Sequence, residues 1–246
     1  MPYAINDGTR IHYEMVGDGP PLVLQHGFSG SGRDWHEFGY VEAMREHYRL
    51  ILIDARGHGD SDKLYDHDAY ALQHRVADIV TVLDELNIAA AHYLGYSMGG
   101  WIGYGMAEHA PDRLVALLIG GAQPYGRSFE GGRKLLAEGS DAWAEFFNAW
   151  GYPCSPDMLT RLRRNDSVAL IAALQDRPDI SHILPSMHMP CLLFGGDADQ
   201  EISAIRRCAG ELPNGTFLSL PGLNHLQVYQ RGGLATAHVL KFLASV

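Results

Sequence analysis

Cysteine is scarce in this chain of 246 residues, and the three that occur are scattered, at Cys154, Cys191 and Cys208. Their number is odd, and no C-x-x-C pair is present. This pattern argues against a disulfide framework and against a structural zinc site. The fold is therefore expected to rest on a hydrophobic core, which a chain of this length can readily form.

Positive charge is also in short supply. The chain has 19 lysines and arginines against 29 acidic residues, and its formal net charge is −10. An extended phosphate backbone would be repelled rather than attracted by such a protein. The composition therefore predicts that nucleic acid is not a partner.

Long hydrophobic runs are absent as well. No segment approaches the roughly 18 uninterrupted apolar residues that a membrane span needs, and the first residues lack the basic region and apolar stretch of a signal peptide. Repeats and low-complexity tracts are missing too. With 46% hydrophobic and 20% charged residues, the composition is that of a globular protein. We expect a cytoplasmic protein without a membrane partner.

What is present is a regular alternation of short apolar runs and helical periods. The segment 3–16 reads as a β-hairpin, and apolar runs predict further strands at 22–25, 49–54, 89–94, 114–119, 190–194 and 216–220. Between them, 70–87 has helical periodicity, and a terminal helix is expected at 234–243. Strands that alternate with helices indicate a mostly parallel sheet covered by helices on both faces.

The alternation stops between residues 120 and 188, where the pattern predicts helices without strands. Ser140 is expected to cap one helix, and Ser155 followed by Pro156 to start another. Four aromatic residues recur on one face of the first of these helices: Trp143, Phe146, Phe147 and Trp150. Such a stripe can pack in a core, or it can form the wall of an acyl pocket if the helices lie over the active edge of the sheet.

A basic run follows in the same region, at Arg161, Arg163 and Arg164. Charged residues at this spacing are most often the solvated face of a helix. The run therefore does not by itself indicate an acidic substrate.

The stretch Gly95-Tyr96-Ser97-Met98-Gly99 matches the pattern G-x-S-x-G. It stands between a predicted strand and a predicted helix, which is the setting in which a serine on a sharp turn presents its hydroxyl at the top of a sheet. Glycine on either side of the serine suits a turn whose backbone segments pass too closely for a Cβ atom. An ordinary strand-to-helix turn that happens to contain a serine is the competing interpretation.

A glycine-rich loop, residues 26–32, follows the first apolar strand. Its spacing is G-x-x-G-x-G, which is neither the dinucleotide fingerprint nor a P-loop, so a nucleotide site is not predicted. The alternative is that the loop supplies a backbone N–H group to an oxyanion. His58, which lies between glycines in the loop after the second buried strand, is expected to hydrogen-bond that loop rather than to act as a base.

Acyl transfer by a serine requires a base, an acid that orients the base, and donors for the developing oxyanion. The chain has a candidate for each role, and each candidate follows the end of a predicted strand. Open α/β sheets place their sites at this edge.

Taken together, the motifs resemble those of the α/β-hydrolase superfamily. The resemblance covers nearly the whole chain, from His26-Gly27-Phe28 through Asp54-x-Arg56-Gly57-His58-Gly59-x-Ser61 and the serine motif to Gly196-Asp197-Ala198-Asp199 and Asn224-His225. It implies that Ser97 is the nucleophile and His225 the general base. It also implies an oxyanion hole formed by the backbone N–H groups of Phe28 and Met98, while His26 keeps its loop in shape.

Two carboxylates compete for the role of the acid. The family usually places the acid three residues after the glycine that ends the strand, and counting from Gly196 selects Asp199 over Asp197. One departure is that Ser203 stands where family members often have proline.

The resemblance therefore predicts an α/β-hydrolase fold, with a core formed by residues 1–120 and 189–246 and a small helical cap inserted at 121–188. The expected activity is that of a carboxylesterase-like serine hydrolase that cleaves a small or medium ester or lactone without a metal or organic cofactor. Alternatives on the same fold are C–C hydrolysis, lyase chemistry and perhydrolysis, or a small-molecule receptor with little turnover. No oligomeric state is predicted.

Overall fold

A computed structural model describes residues 2–151 and 153–246. Met1 and Tyr152, which belong to the predicted core and insertion respectively, lie outside the described residues. The described chain contains one eight-stranded sheet. Its strands are β1 (Tyr3–Asn6), β2 (Thr9–Val16), β3 (Pro21–Gln25), β4 (Arg49–Ile53), β5 (Ala91–Tyr96), β6 (Leu114–Gly120), β7 (Cys191–Gly196) and β8 (Gly215–Leu220).

The strand order is β1-β2-β4-β3-β5-β6-β7-β8. The hairpin strands β1 and β2 run antiparallel, and β2 joins β4 antiparallel; all other neighbours are parallel. This arrangement confirms the predicted hairpin and the mostly parallel sheet. It also places the carboxyl ends of β3 to β8 along one edge.

Helices cover both faces of the sheet. They are α1 (Gly32–Glu37), α2 (Tyr40–Met44), α3 (Leu72–Glu85), α4 (Met98–His109), α5 (Glu130–Ala137), α6 (Ser140–Trp150), α7 (Pro156–Arg164), α8 (Ser167–Ala173), α9 (Ile202–Glu211), α10 (His225–Gln230) and α11 (Gly232–Leu243). Short 3₁₀ turns occur at Asp68–Tyr70, Pro111–Arg113 and Ser181–Ser186. Among the described residues, no helix has the length and apolar character needed to cross a membrane.

The strands alternate their side chains between two hydrophobic layers. In β3, Val23 packs on the side of α3, α4 and α9, whereas Leu22 and Leu24 pack on the side of α2 and α11. Because consecutive strand residues point to opposite faces, a strand between two helical layers must be apolar at nearly every position. This is why β3 to β7 are visible in the sequence as continuous apolar runs.

The boundaries of several predicted elements shift by one or two residues, among them β5, α3, β7 and α11. The strand before the serine runs from Ala91 to Tyr96 and therefore ends directly at Ser97. The predicted helix at 70–87 begins at Leu72, because the preceding residues form a 3₁₀ turn instead.

The region between β6 and β7 contains α5 to α8 and, in its described part, only an isolated bridge between Arg127 and Arg177 instead of strands. Ser155 caps α7 as predicted, since its side chain accepts a hydrogen bond from the backbone N–H of Met158 at 3.1 Å. The prediction for Ser140 is wrong: α6 starts one residue earlier than expected, and Gly139 occupies the capping position.

Part of this helical region packs against the sheet and its covering helices. Leu136, Leu170 and Leu174 form a small cluster of their own. In contrast, Phe147 and Met158 belong to the same hydrophobic cluster as the residues of β3 and α11. The helices are therefore held over the sheet by shared apolar packing.

Candidate active site

Ser97 lies at the junction between β5 and α4, at the carboxyl edge of the sheet. Its backbone has φ +53° and ψ −104°, a region that non-glycine residues rarely adopt and that costs on the order of 1–3 kcal/mol. The Ser97 N–H donates to the carbonyl of Gly120 at 2.7 Å, which ties the turn to β6. This conformation ends the strand abruptly and starts the helix at the next residue.

The two glycines of the motif make this turn possible. A Cβ atom on Gly95 would overlap the backbone carbonyl of Gly99 on the first turn of α4. A Cβ atom on Gly99 would overlap the backbone carbonyl of Gln25 at the end of β3. Both positions therefore require glycine because backbone passes backbone there.

Ser97, His225 and Asp199 form a hydrogen-bonded series. His225 Nε2 lies 2.9 Å from Ser97 Oγ, and His225 Nδ1 lies 2.8 Å from Asp199 Oδ2. The three residues follow β5, β8 and β7 in the chain, and 128 positions separate the serine from the histidine. This is the geometry in which an imidazole can accept a proton from a hydroxyl while a carboxylate orients its other nitrogen.

The two candidate acids have different surroundings. Asp199 is buried, and its Oδ1 accepts a hydrogen bond from the N–H of Glu201 at 3.0 Å. Burial disfavours its charge, but the hydrogen bond and positive charge of His225, with the N–H of Glu201, outweigh burial and lower the pKa of Asp199. Asp197 is exposed, and its Oδ1 accepts from the N–H of Gly222 at 2.6 Å. The structure thus brings Asp199, and not Asp197, to His225.

His225 is held from several sides. It is the first residue of α10 rather than a loop residue as expected, and Asn224 caps that helix by accepting from the N–H of Gln227 at 3.0 Å. The hydroxyl of Tyr96 donates to the carbonyl of His225 at 2.6 Å. The ring of Trp150 stacks on the imidazole, with centroids 5.9 Å apart and planes 15° apart. These contacts leave the imidazole little freedom to turn away from Ser97.

Gly121 is a supporting residue that the sequence analysis did not single out. Its φ is +62°, and a Cβ atom there would lie 2.8 Å from Cε1 of His225. A side chain at this position would push the imidazole out of place. The Gly120-Gly121 pair at the end of β6 is the signal that could have identified it.

Two residues, Phe28 and Met98, are predicted to form the oxyanion hole with their backbone N–H groups. Met98 is the first residue of α4, and N–H groups in a first helical turn have no acceptor within the helix. Phe28 borders the same cavity as Ser97, and the preceding Gly27 runs so close that a Cβ atom on it would lie 3.7 Å from Ser97 Cβ. Met98 follows Ser97 directly and Phe28 lines the cavity with it, and the oxyanion hole that their N–H groups would form stays a prediction.

The two other histidines near this edge hold loops. His26 is buried, with Nδ1 2.7 Å from the carbonyl of Gly27, and its Nε2 accepts from the N–H of Ala55 at 3.0 Å. His58 is also buried, and its Nδ1 lies 3.0 Å from the carbonyl of Arg56. Burial lowers the pKa of both imidazoles and keeps them neutral. Their structural interpretation from the sequence agrees with these contacts.

A cavity of about 480 Å³ opens beside Ser97. Its wall contains eight aromatic residues, four of them from the stripe on α6: Phe28, Tyr96, Phe129, Trp143, Phe146, Phe147, Trp150 and Tyr229. The aromatic stripe of α6 therefore lines the pocket, and one of its residues, Phe147, also packs in the core. Both interpretations that the sequence left open apply. Such a cavity suits an apolar group of moderate size.

Charged residues in the same wall are a feature that the sequence analysis missed. Arg127 and Arg177 border the cavity together with Glu201, and Arg127 pairs with Glu201 at 3.2 Å. In the sequence the two arginines are 50 positions apart and belong to no motif, so no local signal connects them.

One group of possible metal ligands lies within the described part of the chain. Suitable atoms of His12, Asp54 and Asp60 lie within 4.8 Å of one another. The Asp54 carboxylate already pairs with His12 at 2.9 Å and accepts from the N–H groups of Gly32 and Asp60. These bonds explain the cluster as a structural ion pair that fixes the loop after β4.

The sequence model of the α/β hydrolase fold family matches residues 20–152. The chain belongs to the α/β hydrolase fold family. One relative, the 2-succinyl-6-hydroxy-2,4-cyclohexadiene-1-carboxylate synthase of an Enterobacter species, is 32% identical over 209 residues, which cover 76% of this chain and 78% of the relative.

Two solved structures have the same fold over nearly the full chain. The enol-lactonase from Burkholderia xenovorans has a TM-score of 0.87 at 24% identity, and the match covers 99% of this chain and 100% of the lactonase. The esterase RhEst1 from a Rhodococcus species has a TM-score of 0.84 at 25% identity, with 99% and 98% covered. These similarities confirm the fold predicted from the motifs.

Proposed function

We propose that this protein is a serine hydrolase that cleaves a small or medium carboxylic ester or lactone through an acyl-enzyme intermediate. The observation that supports it most directly is the hydrogen-bonded series Ser97–His225–Asp199 at the mouth of an aromatic cavity. The similarity to a Rhodococcus esterase over nearly the whole chain adds to this support.

In the proposed reaction, Ser97 Oγ attacks the substrate carbonyl while His225 Nε2 takes the hydroxyl proton. The developing oxyanion accepts hydrogen bonds from the N–H groups of Phe28 and Met98. His225 then donates its proton to the leaving oxygen, and Asp199 stabilises the imidazolium throughout. Water, activated by the same imidazole, releases the acyl group and restores Ser97.

The helical region contributes the substrate pocket. We infer that residues 121–188 act as a cap on a core made of residues 1–120 and 189–246. This division is supported by α6, whose aromatic residues Trp143, Phe146 and Trp150 line the same cavity as Ser97. The cavity volume of about 480 Å³ favours a short or medium acyl group over a long lipid chain.

Labelling with a fluorophosphonate probe tests the nucleophile. We expect Ser97 to be modified in the wild-type protein, and Ser97→Ala to remove the label without changing the fold. An assay of aryl esters with increasing acyl length then tests the reaction, and activity should decline for long chains. The proposal would be wrong if Ser97 does not label, or if it labels but no ester or lactone is turned over.

The similarity to a synthase, at 32% identity over 76% of this chain, supports a second reaction class. Here the same His225 and Ser97 would perform cofactor-free lyase or C–C bond chemistry on a bound carbonyl compound. Labelling of Ser97 without turnover of any ester or lactone would favour this alternative over ester hydrolysis. Labelling together with ester turnover that depends on Ser97 would decide against it.

A further inference from the structure

Arg127 and Arg177 face each other in the wall of the cavity. The N–H of Arg127 donates to the carbonyl of Arg177 at 2.9 Å, and the N–H of Arg177 donates to the carbonyl of Arg127 at 2.8 Å. Residues directly opposite each other in an antiparallel bridge carry their side chains on the same side. Both side chains border the cavity that contains Ser97.

Arg177 has no carboxylate paired directly with it among the described residues. Arg127 pairs with Glu201 at 3.2 Å, but within residues 2–151 and 153–246 the guanidinium of Arg177 has neither an ion pair nor a hydrogen bond. Its central carbon lies 4.8 Å from the ring centre of Phe129 and 5.3 Å from that of Trp101. Aromatic faces stabilise a guanidinium while its N–H groups stay available as donors.

A third arginine lies near Arg177. Arg75 is buried nearby, and its donors contact the carbonyls of Tyr70 and Ala173 rather than a carboxylate. Burial, with the charges of Arg127 and Arg75, outweighs the opposing charge of Glu201 and lowers the pKa of Arg177 to about 9, so Arg177 remains charged at neutral pH. A partly buried cation without a counter-ion is unfavourable. The unpaired N–H donors of Arg177 in the cavity wall therefore offer a place for an anion.

We infer that Arg177, with Arg127 beside it, binds a carboxylate group of the substrate while the ester or lactone carbonyl of the same molecule lies at Ser97. This inference rests on the proposed function and narrows its substrate class. The substrate is then a half-ester of a dicarboxylic acid or a lactone that carries a free carboxylate. A guanidinium can hold such a group through two parallel hydrogen bonds.

The structure links this anion site to the catalytic acid. The carboxylate of Glu201 binds Arg127, and the backbone N–H of Glu201 donates to Asp199 at 3.0 Å. Glu201 therefore contacts both Arg127 and Asp199. Ser97 and both arginines line one cavity of about 480 Å³ together with aromatic residues, which suits a substrate with an apolar spacer between its two polar ends.

A comparison of matched substrates tests the inference on the wild-type enzyme. Monoethyl adipate and ethyl hexanoate have the same chain, but the first ends in a carboxylate and the second in a methyl group. We expect at least one half-ester in the series from succinate to pimelate to exceed its neutral counterpart in kcat/KM about 10-fold or more. Equal or lower values for every half-ester would overturn the inference.

Substitution of Arg177 tests the site itself. Arg177→Met should lower the ratio of kcat/KM between the preferred half-ester and its neutral counterpart by about 10- to 100-fold. Arg177→Lys keeps the charge but loses the planar donor pair, so its ratio should lie between those of the wild type and Arg177→Met. Arg163→Met, which removes an exposed cap arginine paired with Asp141, is the control and should leave the ratio unchanged. A ratio that survives in Arg177→Met would contradict the inference.

A binding experiment separates this inference from the proposed reaction. Titration calorimetry of adipate with Ser97→Ala should show binding that is lost in Ser97→Ala/Arg177→Met, after circular dichroism has verified that both variants are folded. If adipate binds through Arg177 but Ser97 never labels with a fluorophosphonate, the hydrolase proposal fails and the anion site stands. If Ser97 labels and neutral esters are cleaved, but neither adipate binding nor a half-ester preference is found, the anion site is wrong and the hydrolase proposal stands.

Discussion

Asp197 and Asp199 have the same side chain, but the bend after β7 gives them different surroundings. Asp199 turns inward to His225, whereas Asp197 turns outward to the N–H of Gly222. Asparagine has nearly the same volume as aspartate, so substitution at either position removes the charge with little change in shape. At Asp199 it also changes which tautomer of the His225 imidazole is favoured. This makes the pair a matched test of the acid.

We predict that Asp199→Asn lowers kcat by about 10³- to 10⁴-fold, because an amide stabilises neither the imidazolium nor the correct tautomer. Asp197→Asn should change kcat less than about threefold, since Oδ1 can still accept from Gly222. Steady-state kinetics on a short aryl ester measures both. Comparable losses in the two variants would contradict the assignment of Asp199.

Single residues also show where prediction from sequence works and where it fails. Ser97, Asp199 and His225 each follow a strand and stand in a recognisable local pattern, so their convergence could be expected. Arg177 has no such pattern, and its neighbour Arg127 comes from the other end of the helical region. Only the folded chain brings their charges together.

The junction of β5 and α4 shows how a structural element depends on close backbone packing. The first turn of α4 passes over the end of β3 at Gly99, where a Cβ atom would overlap the carbonyl of Gln25. In contrast, Gly210 in α9 has open space around it. The two glycines therefore have opposite tolerance to alanine, although both lie in helices.

We predict that Gly99→Ala destabilises the protein by about 2 kcal/mol or more and abolishes labelling of Ser97, because β3 or α4 must move to make room. Gly210→Ala should be neutral or stabilising by up to about 1 kcal/mol, since alanine favours the helix. Urea unfolding followed by circular dichroism measures both free energies. A stable, fully labelled Gly99→Ala protein would show that the turn is less tightly packed than described.

The helical region illustrates how far element prediction extends. Serine followed by proline marked the start of α7 correctly, because Ser155 caps the helix and Pro156 needs no N–H partner there. Ser140 carried a similar local signal, yet α6 begins at that residue with Gly139 in the capping position. The choice between two adjacent starting points depends on how the helix packs on its neighbours, which a local pattern does not contain.

Ion pairs between α1 and α7 connect the helical region to the rest of the molecule. Asp34 of α1 is buried and lies 3.3 Å from Arg161, which also pairs with Glu37. The expectation of a solvated basic face is therefore wrong for Arg161, whereas Arg163 and Arg164 are exposed. Burial outweighs the nearby arginine and raises the pKa of Asp34 to about 7.

This pKa predicts how the stability of the whole protein depends on pH. Because the folded protein binds the Asp34 proton more tightly than the unfolded chain, this contribution is present below about pH 4 and is lost as the pH rises to about 7. The free energy of unfolding can change through this single group by at most about 1.4 kcal/mol per pH unit. We expect the difference in unfolding free energy between the wild type and Asp34→Asn to fall by more than about 1 kcal/mol across this window.

Urea unfolding at several pH values measures this difference. Arg161→Met serves as the second variant, because removing the positive charge should raise the pKa of Asp34 further and extend the loss of stability to higher pH. A difference between the wild type and Asp34→Asn that stays constant from pH 4 to pH 7 would show that Asp34 does not titrate in this range.

The sequence by itself determined the α/β architecture and the order of its elements, although not the residues at which β5 and β7 end. It could do so because buried parallel strands leave continuous apolar runs, and because a sharp turn such as Gly95 to Gly99 needs glycine at defined positions. Tertiary structure alone decided that Trp150 stacks on His225, that Arg161 meets Asp34 and that Arg127 and Arg177 share one wall of the cavity. These contacts join residues far apart in the chain, and their energies depend on burial and on neighbouring charges that exist only once the helices pack over the sheet.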